Sequence, residues 1–67
     1  MSVAKVVEIK SSSPKSFEAA VQTGIKRASK TLKNVTGAWV SDQEVVVKNG
    51  AITEYRVLMK VTFILAK

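Results

Sequence analysis

Glu44-Val45-Val46-Val47-Lys48-Asn49-Gly50-Ala51-Ile52-Thr53-Glu54-Tyr55 is the stretch on which the fold turns. Asn-Gly suits a two-residue type I′ turn, because both central residues need positive φ. β-Branched and aromatic residues flank it, and these favour strands. The spacing predicts a hairpin, with one strand from about Ala38 to Lys48 and the next from Ala51 to about Leu65. A two-residue loop pairs Lys48 with Ala51. An unbroken register then sets Tyr55 opposite Glu44, Val57 opposite Asp42, Met59 opposite Val40 and Val61 opposite Ala38. Alternation groups Tyr55, Val57, Met59, Val61, Phe63 and Leu65 on one face.

Upstream, Phe17, Ala20, Val21, Gly24, Ile25, Ala28 and Leu32 recur at helical spacing. They form the stripe that packs on that sheet face. Gly24 within the stripe predicts close approach of helix and sheet, at about 1 kcal/mol of helix propensity. Ser13 is the expected N-cap and Pro14 the first-turn residue. Lys26, Arg27, Lys30 and Lys33 crowd the last turns, where cations complement the helix dipole. Asn34 is the expected end. Before the helix, Ala4–Lys10 is predicted as a strand and Ser11–Ser13 as a short loop.

The same register gives the sheet a second face. It holds Gly37, Trp39, Ser41, Gln43, Val45 and Val47 from one strand, and Ile52, Glu54, Arg56, Leu58, Lys60, Thr62 and Ile64 from the other. Asp42 and Glu44 fall on the helix side. One helix does not cover both faces, and Trp39, Val45, Val47, Ile52, Leu58 and Ile64 are too apolar to leave in water. Subunit contacts are expected there.

Composition narrows the chemistry. At 67 residues the chain is one domain, 1–67. A core of this size is marginal alone, and small domains add disulfides, a metal or oligomerisation. There is no Cys and no His, which excludes disulfides, thiolate and imidazole metal sites, and His-based acid–base chemistry. Oligomerisation remains. No acid–base or nucleophile pair is arranged for catalysis, so the chain is not expected to be an enzyme. Asp42 and Glu44 lie in no Gly-rich Asp loop of the kind that holds calcium, and no metal site is expected. No apolar run reaches the ~20 residues of a membrane span, and none near Met1 suits a signal peptide. A cytoplasmic chain is expected. The formal net charge is +6, with seven Lys or Arg against two acids in residues 1–33. A solvated helix face accounts for most of that charge. A basic nucleic-acid-binding module is the weaker alternative, since no motif or interleaved aromatics support it.

The order β-α-β-β and the segments Ser12-Ser13-Pro14-Lys15-Ser16-Phe17-Glu18, Arg27-Ala28-Ser29-Lys30-Thr31-Leu32-Lys33-Asn34-Val35 and Thr53-Glu54-Tyr55-Arg56-Val57-Leu58-Met59-Lys60-Val61-Thr62-Phe63 resemble the dodecin family. The likeness runs from about Val3 to Leu65. It implies an α+β fold in which an antiparallel three-stranded sheet wraps partly around one helix, and a hollow homododecamer. It also implies non-catalytic binding and storage of flavin, FMN or riboflavin, at subunit interfaces. In flavin-binding members a Trp opening the second strand stacks on the isoalloxazine, and a Gln on the third strand bonds its polar edge. Here Gly37 stands at the Trp position and Arg56 at the Gln position.

The pairing derived above brings Gly37, Trp39, Gln43 and Arg56 onto one face, with Gln43 across from Arg56. These four are the candidate cofactor-binding residues. Trp39 supplies a stacking platform one step along, or else an aromatic anchor between subunits. Gln43 takes over the polar edge contacts. Arg56 stacks on a ring or clamps a phosphate, or else pairs with Glu54 or Glu44. A shell that has lost flavin and takes another anion, coenzyme A or a nucleotide, or serves only as a scaffold, is the alternative.

Overall fold

The computed structural model describes residues 3–65. Its order is β1 (Ala4–Ser13), α1 (Phe17–Thr31), β2 (Val35–Lys48) and β3 (Ala51–Ile64). The sheet is antiparallel in the order β1-β3-β2, so the last strand is central and the other two are edges. The α+β class and β-α-β-β order match the sequence expectation. Asn49 and Gly50 have φ of 53° and 77°, the positive pair that a type I′ turn requires.

The entry to the helix differs from expectation. Ser16 caps α1, its hydroxyl accepting from the Ala19 N–H at 3.0 Å. Ser13 is the last residue of β1, pairs with Tyr55, and accepts from the Lys15 N–H at 3.0 Å. The reason is the ladder, because β1 goes on pairing with β3 through Ser11, Ser12 and Ser13. Ser13 is thereby held extended, Ser11–Ser13 extend the strand, and the cap passes to the next serine. At the other end the helix stops at Leu32, and Asn34 takes a left-handed φ of 63°.

The helix stripe divides by size. Ala20, Gly24 and Ala28, four residues apart, form a buried rail. Val57, Met59 and Val61 of β3 are fully buried beneath it, while Phe17, Val21, Ile25 and Leu32 pack around the edge of this core. Small residues let the helix settle close to the sheet. A Cβ on Gly24 would lie 2.5 Å from Met59 Cε and 3.0 Å from Ser11 Cβ. Tyr55 meets the ring of Phe17 edge-on, with centroids 5.1 Å apart, and its cross-strand neighbours are Ser13 and Val45 in place of the expected Glu44.

α1 packs on β1 and β3, and no residue of β2 is buried. The 15 residues of α1 reach roughly 22 Å, whereas 14-residue strands run about 46 Å. The protomer is accordingly a slab of 51 × 19 × 13 Å with a radius of gyration of 13.8 Å, against about 11 Å for a compact chain of this length. It exposes 5028 Å², against about 4,200 Å² for a compact monomer of its mass.

The close approach at Gly24 is testable. Gly24→Val adds a β-branched side chain whose first carbon already displaces the buried Met59 methyl and crowds Ser11. It is expected to destabilise the fold by about 1–3 kcal/mol, read as a lower urea midpoint. An unchanged midpoint would contradict the packing described.

Candidate functional site

The β2–β3 ladder slips register at three places, between Val35 and Gly37, between Val40 and Asp42, and between Val46 and Val47. Each slip is a β-bulge, and a one-residue slip turns every later side chain to the other face. Val40 pairs with Met59 and Ala38 with Val61, as expected. Between the second and third bulges, however, Gln43 pairs with Val57, Glu44 with Arg56 and Val45 with Tyr55. Ser41 is the extra residue of the second bulge, and its hydroxyl donates to the Leu58 carbonyl at 3.1 Å. Thr53 is the extra residue of the third, and its hydroxyl donates to the Val46 carbonyl at 3.3 Å.

This regroups the candidate residues. Gly37, Trp39 and Arg56 share the outer face, away from the helix. Gln43 does not: it stands on the helix-side face beside Val57, and the residue across from Arg56 is Glu44. Asp42 and Glu44, expected on the helix side, lie on the outer face. Val45 moves the other way, and the register carries Val47 and Ile52 with it. The exposed apolar side chains Val40, Val45, Val47 and Ile52 thus line the helix-side face of the hairpin, where α1 does not reach. The expected apolar surface exists, but mostly on the opposite face from the one predicted.

The outer face is a grid of charge with one large ring. Glu8, Lys60 and Trp39 form a row across the three strands, followed by Lys10, Leu58 and Asp42, then Ser12, Arg56 and Glu44. Trp39 is 51% exposed, and Lys60 Nζ sits 5.6 Å from its ring centroid. That geometry is a cation–π contact, worth about 0.5–1 kcal/mol at an exposed site. Gly37 is one step along the same face, and a Cβ there would meet nothing within 4 Å. The space beside the indole is therefore open.

Arg56 Nε donates to Glu54 Oε1 at 2.8 Å. This hydrogen bond, then the Glu54 charge and more weakly that of Glu44, hold the guanidinium above its ordinary value. Lys10 Nζ lies 3.6 Å from Glu44 Oε1. Lys10, Asp42, Glu44 and Arg56 line a shallow depression of about 270 Å³ that also touches Gln43. Among the described residues no group of three acids is placed to hold a metal ion, and no helix is long and apolar enough to cross a membrane.

A small antiparallel sheet on one helix, carrying an open aromatic and a bed of alternating charge, suits a small binding protein of the α+β class. The dodecin family model matches residues 3–66. A curated relative, the calcium dodecin of Mycobacterium tuberculosis, is 33% identical over 63 residues, covering 94% of this chain and 89% of its own. The dodecin of Streptomyces davaonensis superposes with a TM-score of 0.94 at 33% identity, covering 98% of this chain and 97% of that one. The crystal structure of the Mycobacterium tuberculosis calcium dodecin gives a TM-score of 0.83 at 32% identity over 96% of this chain and 91% of that one. That relative is described as calcium chelating, with a novel calcium-binding site. This chain belongs to the dodecin family.

The bulges make a direct prediction about coupling. In double-mutant cycles on stability, Arg56 and Glu54 are expected to couple measurably. Arg56 and Gln43 are expected not to couple, because they stand on opposite faces. Coupling between Arg56 and Gln43 equal to that of the ion pair would restore the unbroken register.

Proposed function

We propose that the chain is a non-catalytic, homo-oligomeric binding protein, a dodecamer. Its subunits cover one another along β2, and it holds a small planar ligand on the outer sheet face. Flavin, as FMN or riboflavin, is the ligand class that suits this face. The observation that carries the reading is the half-exposed Trp39 indole, with open space at Gly37 and a cation at Lys60. A flat ring gains offset stacking on the indole, and the neighbouring cations favour an electron-rich or anionic edge. Arg56 contributes charge from two rows away. Gln43 pairs with Val57 on the helix-side face, so we assign polar recognition of the ring edge first to Arg56 and Lys60. A Trp here also suits a subunit contact. In a symmetric shell the two roles converge if the ligand sits between copies.

A second reading has one specific support, the relative named calcium dodecin. Asp42 and Glu44 lie on the same outer face, with Glu54 beyond. Glu44 is tied to Lys10 and Glu54 to Arg56, so a calcium ion would need oxygen ligands from several subunits.

A riboflavin titration followed by flavin fluorescence separates the readings. Quenching that saturates at micromolar protein, with affinity at least tenfold weaker in Trp39→Ala, is the expected result. Unquenched riboflavin and FMN, with calcium bound in calorimetry and lost in Asp42→Asn, would replace flavin by the metal.

A further inference from the structure

A second concavity lies on the other side of the molecule, between the free edge of β1 and the flank of α1. It has a volume of about 600 Å³, within the range of small-ligand pockets. Its helix wall comes from a polar stripe, Thr23, Arg27 and Thr31, four residues apart and set one position behind the buried rail of Ala20, Gly24 and Ala28. The opposite flank of the helix carries Val21, Ile25 and Leu32, all packed on the core. The two flanks thus differ in character, and the polar one borders the groove. The strand wall brings Ser11 and Ser12. Gly24 and Ala28 form a floor without bulky side chains.

The charge of the groove is one-sided. Arg27 lines it, and Lys30 stands one turn further on the same flank. No carboxylate lines it, and among the described residues no acid lies within ion-pair distance of Arg27. The other basic lining residue, Lys10, is turned to Glu44 on the outer face. Thr31 donates to the Ala28 carbonyl at 3.4 Å. The hydroxyls of Ser11, Ser12 and Thr23 are engaged by no hydrogen bond among the described residues. A planar guanidinium beside uncommitted hydroxyls matches the geometry and charge of a phosphate group, which takes two parallel N–H bonds from Arg and further bonds from O–H donors.

We propose that this groove binds the phosphate of a small phosphorylated ligand, with Arg27 as its charged contact and Thr23 and Ser11 as hydroxyl donors. The inference stands apart from the outer-face reading, since Trp39 lies on a different surface. It also gives a use to basic charge that the outer face leaves unexplained.

Calorimetry on the full chain in its native assembly, with ADP as the probe and adenosine as the control, tests it. ADP is expected to bind and adenosine not. Arg27→Gln is expected to weaken ADP at least tenfold, with Arg27→Lys recovering part of the loss, while Trp39→Ala leaves the affinity within twofold. Arg27 is exposed, so circular dichroism and native mass should not change in its variants. Four outcomes overturn the proposal. These are no ADP binding at millimolar concentration, equal binding of adenosine, loss on Trp39→Ala, or a loss in Lys26→Gln as large as in Arg27→Gln. The last would assign the anion to diffuse charge on the helix.

Discussion

A helix of 15 residues faces a sheet three strands wide and about twice its length, and this mismatch governs the protomer. The rail of Ala20, Gly24 and Ala28 holds the helix close over Val57, Met59 and Val61 of the central strand. That contact makes a small, dense core. It also fixes the helix where β2 lies beyond its reach. Every residue of β2 is at least partly exposed as a result. A 14-residue edge strand with Val40, Val45 and Val47 open to water is a hazard for any isolated chain. The physical remedy for a chain without Cys or His is another copy of the same surface.

The bulges connect this core to the site. They let β2 change face twice along its length, so that apolar residues near the hairpin end stay on the helix side while Asp42 and Glu44 turn outward. The outer face becomes the charged one, and Trp39 is its single ring. Buried core, exposed apolar flank and charged face are thereby separated on one thin sheet. The helix buries the middle, the hairpin's inner flank stays apolar and exposed, and the outer face carries the charge.

Much of this was legible in the residues. Asn49-Gly50 set the hairpin because few dipeptides accept two positive φ values in succession. The helix stripe was legible because its period is unbroken from Phe17 to Leu32. Trp39 and Arg56 were correctly placed on a common face, Trp39 because the bulge at Ser41 undoes the slip at Thr53, and Arg56 because it lies on the regular part of β3. Gln43 and Val45 fall between the two bulges and were inverted. Nothing in their neighbourhood announced it, since neither Ser41 nor Thr53 is a Gly or Pro and a bulge of this kind needs neither. The cap falls at Ser16 and not at Ser13 for a different reason: two serines compete, and the long-range pairing of Ser13 with Tyr55 decides between them.

The central claim is that β2 and the inner flank of the hairpin are completed by other copies of the chain. Native mass spectrometry across serial dilution from tens of micromolar to tens of nanomolar tests it most directly. The account predicts one closed assembly of twelve chains that persists on dilution, with no folded monomer beside it. A folded 7.3 kDa monomer stable at micromolar concentration would contradict it.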